Sequence, residues 1–588
     1  MALVLVVTAV MAAAVPSVAG AGNPRLKKPT ITGFAATPAV ITTAGGGTDV
    51  HATVSAGSCE LSSTPSIPGL PEPVACPGSA RATVFPPLAA GRRPAKYRLT
   101  LITTVVENGV TLRASKSTNV KVEVGDGGAL TNVRFIEGSS EGYCAVLTTT
   151  GVDCWGSDSY GQLGDGVVAA RPINAAPVAV VGVGGSGLLT GVTELTAFGS
   201  GEGYCALLTS SNVVCWGNSD YGQLGNGQMS SSSTEVDSAV PVVVSGIGGT
   251  GQLSAAGRLR ASDNTICAVE SSLSSVACWG EGDNGELGDG SYLNSAVPEQ
   301  VQFPTTTGSY NFGPQLESDG QGFCVVDYNA DDFTLDDILC WGAGAQGQLG
   351  DGTFASSDVA NVVLASVPGT NLSLPLYSPQ VFPIYHSGYC ALTRALNAWC
   401  WGRNDVGQLG NGSRTDSSLA TEVKGSGGTG VLASVAGIAA SSEGTVCAGI
   451  GDGSSTECWG DNVDGALGGA APPAGYSTVP VYVIVTGTLS LFSPIELLGG
   501  DTSSNSFCGF SGPGALSCWG DYLANLPTPS GASPIGATAD AVPSSPAPGP
   551  GWCTVLSTGT AECWGLALGD GSTSSNPSAT PQSVLAPT

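Results

Sequence analysis

Histidine is almost absent: His51 and His386 are the only two in 588 residues. Ser-His and Cys-His catalysis and histidine-rich metal centres need imidazoles, so most such mechanisms fall away. No two cysteines stand in the close C-x2-C step that thiolate zinc sites use. Charge is scarce as well, at 11% of residues, and 19 Lys and Arg face 46 Asp and Glu for a net charge of −27. A chain so acidic lacks the cations that displace counterions from phosphates, which argues against nucleic acid as a partner. Beyond the N-terminus no apolar run reaches the roughly 20 residues of a membrane span. No cofactor site is expected, and the chain is not expected to be an enzyme, although an acidic surface always leaves carboxylate pairs open.

What is present begins with MALVLVVTAVMAAAVPSVAGAG, uncharged before Arg25 and apolar from Ala2 to Val15. The small residues Ser17-Val18-Ala19 suit signal peptidase, so residues 1–22 read as an export signal, with an uncleaved anchor left open because a positive start is missing. The mature protein is expected to be secreted or at the cell surface. Eighteen cysteines, an even number, then make disulfides the default. With 87 Gly and 37 Pro and only short Val/Leu/Ala runs, the chain reads as strands and turns, hence all-β. Residues 23–125 carry 11 Lys and Arg against 5 Asp and Glu, so this part is about +6 and the remainder about −33. The basic part suits contact with an anionic surface, and the acid of the rest suits solubility.

The triplet Cys-Trp-Gly occurs eight times, at Cys154, Cys215, Cys278, Cys340, Cys400, Cys458, Cys518 and Cys563, mostly about 60 residues apart. Each is preceded by one partner: Cys144, Cys205, Cys267, Cys324, Cys390, Cys447, Cys508 and Cys553. In YCAVLTTTGVDC the segments flanking TTTG alternate as strands do, so a hairpin sets Cys144 opposite Cys154. Opposed residues lie about 4.5 Å apart, close enough for a cross-strand disulfide. Cys59 and Cys76 are the remaining pair.

The slot before the first Cys (Tyr143, Tyr204, Ile266, Phe323, Tyr389, Val446, Phe507, Trp552) is always apolar or aromatic and suits the core. The Trp of every triplet is expected to pack between neighbouring units. The slot before the second Cys is mixed (Asp153, Val214, Ala277, Leu339, Trp399, Glu457, Ser517, Glu562) and is expected to face solvent, which singles out Trp399 as a contact for a partner. The triplets are followed by a loop such as GQLGDG at 161 or GQLGNG at 222, whose glycines suit positive φ and whose Leu pins the loop; the unit near 518 lacks it and the last keeps only ALGDG at 567–571.

The pattern C-x9-C-W-G followed by N/D-x-x-G-Q-L-G-D/N-G resembles the repeat of the regulator of chromosome condensation family, in a secreted, disulfide-containing form. The resemblance covers residues 127–588 and implies a β-propeller of four-stranded blades closed by pairing the two ends of the repeat region. Seven intact intervals and one split unit suggest eight blades. The Pro-rich stretch at 525–551 leaves seven open. Residues 23–126 are similar to bacterial immunoglobulin-like β-sandwich modules, without the Cys-Trp-Cys arrangement of antibody domains. The family implies a protein-interaction scaffold, with guanyl-nucleotide exchange or secreted enzyme inhibition as alternatives.

Literal motif matches are decoys. GVGGSG at 182, GIGGTG at 246 and GSGGTG at 425 fit G-x-G-x-x-G, yet occupy one slot of the repeat with no helix following, and read as hairpin turns. GSSEG at 138 fits a nucleophile elbow, but the slot reads GSGEG at 199 and ASSEG at 440. The hairpin CVVDYNADDFTLDDILC is enlarged and holds Asp327, Asp331, Asp332, Asp336 and Asp337. It lacks the Gly and Glu of a calcium loop, so no metal is expected, and it joins Trp399 as a guess for partner contact. Asn371 and Asn411 head glycosylation sequons.

Overall fold

The computed structural model describes residues 28–587 apart from 42–47, 65–71, 85–94, 123–128, 169–174, 305–309, 329–336, 367–372, 469–474, 484–495, 499–505, 511–515, 521–550, 571–577 and some turns of four residues or fewer. Residues 1–22, Cys76, Asp331, Asp332, Asp336 and Asn371 lie outside the described residues. The described secondary structure is strand, turn and short 3-10 segments.

The chain divides into two compact units. One is built from Met1–Val40, Thr48–Val84 and Lys96–Lys121, and the other from Ile41–Gly47, Phe85–Ala95 and Val122–Thr588. Two antiparallel sheets occupy the N-terminal part. Ile31–Thr37, Thr48–Val54 and Gly78–Val84 form one, while Val110–Val122, Ala95–Glu107 and Ser58–Thr64 run through the centre of a five-stranded second. Period-2 burial is plain in the latter: Cys59, Leu61, Leu99 and Leu101 are buried.

Every Cys-Trp-Gly hairpin of the repeat region sits in its own sheet, antiparallel but for the parallel pairing of Leu364–Ser366 with Ser417–Glu422 in the fifth. In the first unit Val133–Ser139, Gly142–Leu147, Val152–Gly156 and Val178–Ala179 pair in turn, with Cys144 opposite Cys154 and Tyr143 opposite Trp155. Seven disulfides are described, at 144–154, 205–215, 267–278, 324–340, 390–400, 447–458 and 553–563, with Cα atoms 4.0 to 4.2 Å apart. Cys508 opposes Cys518 in the same register.

Alternation along a strand sends the cysteines to one face and the aromatic pair to the other. Among the described residues the cysteine face of one unit packs on the aromatic face of the next: Cys205 and Cys215 lie in one cluster with Ile266, Ala277 and Trp279, and Cys324 and Cys340 in another with Tyr389, Ala391 and Trp401. The series closes on itself. Cys553 and Cys563 pack with Tyr143, Ala145 and Trp155, and the main chain of Leu130 bonds to that of Val584. The arrangement is a β-propeller.

Six of the described indole N–H groups then reach back to the preceding loop, that of Trp519 to the Ala466 carbonyl at 2.9 Å. Trp216 donates to the Gln162 carbonyl at 2.9 Å, and Trp279, Trp341, Trp401 and Trp459 donate to residues 223, 286, 348 and 408 at 2.8 Å. The glycine after Leu in that loop lies against the same indole. At Gly350, φ is +65° and an added Cβ would stand 2.9 Å from Trp401 and from Val363.

One sequence expectation is overturned. The slot before the second Cys is buried rather than solvent-facing: Asp153, Val214, Ala277, Leu339 and Glu457 are at most 5% exposed. The residue shares a face with the adjacent Trp, and in a propeller both faces of a blade are covered by neighbours, so no wet face exists. Trp399 is half-buried, against the cluster between the fourth and fifth units.

Gly350→Ala is expected to cost about 2–4 kcal/mol, by crowding Trp401 and by forcing a side chain into positive φ. Gly427→Ala, at φ +67° with nothing within 4 Å of the added carbon, is expected to cost only about 1–2 kcal/mol. Urea denaturation midpoints of the two variants check the difference.

Candidate functional site

The first-to-second strand turns and the GQLG-type loops after the third strand lie at the same ends of the strands, because Gly142 opposes Gly156. They also touch between units: Gln223 Nε2 donates to Asn264 Oδ1 at 3.2 Å, and Gln162 Nε2 to the Gly201 carbonyl at 3.4 Å. Together they make one loop face. It is acidic. Tyr160 stands among Glu202, Asp220, Asp237 and Glu141, which raise its pKa, Glu202 most. Tyr221 is raised likewise by Glu281 first, then by its partial burial and by Asp220, Asp283 and Glu202. Glu202 itself is pushed up by burial and then by Asp220, Asp237 and Glu141.

Most of the turns are structural. Ser139, five residues before Cys144, is buried, accepts the Gly142 N–H at 3.1 Å and receives the Tyr204 hydroxyl of the next unit at 3.2 Å. Ser139 is thus a packing residue of the GSSEG turn. The turn departs in three successive units: the third keeps Ser262 in this position but follows it with Asp263, while the fourth and fifth place Asp319 and Tyr385 there.

There the departures converge. His386 Nε2 lies 3.5 Å from Asp263 Oδ2, and the Tyr385 hydroxyl donates to Asp263 Oδ1 at 3.2 Å. The Tyr385 and His386 rings stack at 4.1 Å. The His386 N–H donates to the Asp319 carbonyl, and Asp319 Oδ1 accepts the Gln321 N–H at 3.0 Å and the Tyr389 hydroxyl at 3.4 Å. Asp263 and His386 occupy one equivalent position, at φ 45° and 52°, where the intervening unit has Gly320 at +89°. A Cβ on Gly320 would meet His386 Nε2 at 2.8 Å, so the missing side chain makes room for the imidazole. Two non-glycine residues held in the left-handed region at one spot mark strain, which collects at functional sites.

Asp319 is 1% exposed, and burial pushes its carboxyl up to about 7 against the Gln321 N–H, His386 and Tyr389, which lower it. His386 is raised, chiefly by its contact with Asp263. Sequence reasoning missed this group. The signal was there, in the turns before Cys267, Cys324 and Cys390, which carry Asp263, Asp319 and Tyr385-His386 where the first two units carry serine and glycine.

A second charged group lines the innermost strands. Arg260, buried, reaches Glu194 at 3.1 Å and Glu317 at 3.2 Å in the units before and after its own. Burial opposes its charge, and Glu317, Glu194 and Glu137 outweigh that and raise its pKa. This is a structural tie across three units.

The contacts singled out from sequence fall at the opposite strand ends. Asp327 and Asp337 face each other at the base of the enlarged hairpin, and Asp327 Oδ1 accepts the Asn311 N–H at 2.7 Å. Trp399 and Tyr328 pack on one cluster, so the structure brings Trp399 close to that hairpin base. Asn411 bonds to Ser413 and Thr421 within its loop. Among the described residues no group of three or more His, Cys, Asp or Glu has the arrangement of a metal site.

Residues 397–448, running from one hairpin through its GQLGNG loop to the next, match the family model described as Regulator of chromosome condensation (RCC1) repeat. That segment carries the RCC1 repeat. The chain's relatives include the RCC1-like G exchanging factor-like protein of Mus musculus, 30% identical over 199 residues, covering 34% of this chain and 38% of that protein. The Ultraviolet-B receptor UVR8 of Arabidopsis thaliana is 26% identical over 231 residues, covering 39% of this chain and 46% of the receptor. The chain spans less than half the length of these RCC1-type relatives. Human WBSCR16, a solved structure, is 15% identical with a TM-score of 0.44, over 75% of this chain and 96% of that one.

Burial of Asp153, also pushed up to about 7, and of Asp319 carries a pH consequence. A carboxyl raised on folding leaves the native state holding more protons, so stability is lost as pH rises from about 4 through about 7. Asp319→Asn and Asp153→Asn are each expected to flatten that loss and to melt higher than wild type above neutral pH, as thermal melts across the range will report.

Proposed function

We propose that this chain is a non-catalytic, secreted or cell-surface scaffold that binds another protein through the loop face of its propeller. The observation that carries the reading is the convergence of Asp263, Asp319, Tyr385 and His386 from three units on that face, in a framework whose other repeated slots are given over to packing. Surface departures from a repeat mark binding, because packing does not require them. Tyr160 and Tyr221 supply aromatic contact area among carboxylates on the same face.

Export is supported by the apolar run from Ala2 to Val15 and by the paired cysteines, since disulfides persist in oxidising compartments. Eight blades are supported by eight hairpins in separate sheets and by the closing contact of the last with the first. An immunoglobulin-like module at residues 23–126 is supported by the sheets of three and five strands. Cys59, itself disulfide-bonded, is assigned to Cys76, and Cys508 to Cys518.

The full chain, immobilised and used to capture proteins from the extracellular medium of its source, tests the reading. The double variant Tyr160→Ala/Tyr221→Ala is expected to lose at least one captured protein that Trp399→Ala, at the other end of the strands, retains. Loss with Trp399→Ala alone would move the site to the hairpin end, and equal capture by all three would overturn the loop-face assignment.

A further inference from the structure

The group at Asp263 has the makings of a receptor for one cationic side chain. Its side chain is 40% exposed, and the Tyr385 hydroxyl it accepts and the His386 Nε2 beside it come from a turn two units away. At 3.5 Å the histidine contact is long for a hydrogen bond, so neutral imidazole satisfies the carboxylate poorly. Behind it Asp319 Oδ2 is buried without a hydrogen-bond partner, and this carboxyl interacts electrostatically with both His386 and Asp263. A buried carboxylate oxygen with no donor is costly unless a proton or a cation answers it. The surroundings favour a cation, since Glu141, Glu202, Asp220, Glu281 and Asp283 share the loop face.

We propose that Asp263, with the ring of Tyr385 beside it, receives a lysine or arginine side chain from a basic segment of a protein partner, and that His386 competes with that side chain for the same carboxylate. The proposal rests on the loop face being the binding face. An ammonium or guanidinium makes a charge-assisted bond stronger than the neutral imidazole does, and the tyrosine ring adds a cation–π surface.

The competition sets the direction of the pH response. The titratable groups facing His386 are Asp263 from the third unit, Asp319 from the fourth and its own neighbour Tyr385. As pH falls through neutrality, His386 gains a proton and becomes an internal counterion for Asp263, while Asp319 takes up a proton and loses its charge. Both changes weaken a bound cation. Affinity therefore rises with pH.

Binding of a fluorescent oligo-arginine peptide to the full chain, with an oligo-glutamate of equal length as control, tests this. Wild type is expected to bind oligo-arginine about tenfold or more tightly at about pH 8.5 than at about pH 6. Asp263→Asn, whose side chain tolerates the left-handed backbone, is expected to bind weakly at both. His386→Asn is expected to keep the high-pH affinity and lose most of the pH dependence. Asp263→Glu, which keeps the charge, is expected to retain part of the binding and guards against loss through misfolding. Equal binding by wild type and Asp263→Asn, a full pH response in His386→Asn, or preference for oligo-glutamate would each overturn the proposal. If those results came with proteins still lost from Tyr160→Ala/Tyr221→Ala, the scaffold reading would stand while the cation receptor fell.

Discussion

The repeat region depends on one recurring contact: the indole of a Cys-Trp-Gly triplet pressed onto the glycine loop of the preceding unit, made by Trp216, Trp279, Trp341, Trp401 and Trp459. The N–H bonds a main-chain carbonyl at 2.8 to 2.9 Å while the ring fills the place where a side chain would stand on the glycine. A blade of three or four strands cannot bury its own two faces, so the fold exists only because each neighbour supplies the missing cover. Disulfides complete the device from the other side. They rivet the central hairpin of each unit and present sulfur and valine to the next aromatic pair.

That economy explains where function is found. With both faces of a blade covered, the central hairpin strands have little solvent to meet, and even Asp153 and Glu457 are buried; Glu457 accepts a 2.7 Å bond from Ser426. Polar chemistry inside is limited to ties such as Arg260 with Glu194 and Glu317. Variation that a partner can feel is confined to the strand ends. At one end the turn that carries serine and glycine in the first two units carries aspartate, tyrosine and histidine in the next three, and the curvature of the propeller brings these together across the unit between them.

The framework was legible because it repeats. The ten-residue spacing of Cys144 and Cys154, the apolar slot before each first Cys and the eightfold Trp all pointed to hairpins packed unit against unit, and period-2 alternation assigned the faces. Two things were not legible. Mixed composition before the second Cys suggested solvent, yet propeller stacking buries that slot whether the residue is Val214 or Asp153. Nor could one unit's sequence say that position 263 would meet position 386, since that meeting is a property of the ring and not of any strand. The aligned turn slots held the clue, and it was read only as evidence against a nucleophile elbow.

A double-mutant cycle on Trp401 and Gly350, followed by urea denaturation of the full chain, tests the central claim most directly. If the indole and the glycine are two halves of one interlock, a methyl at residue 350 enters space that Trp401→Ala has vacated. Gly350→Ala is then predicted to cost less in that background than in wild type, by about 1 kcal/mol or more. Additive effects of the two substitutions would contradict it.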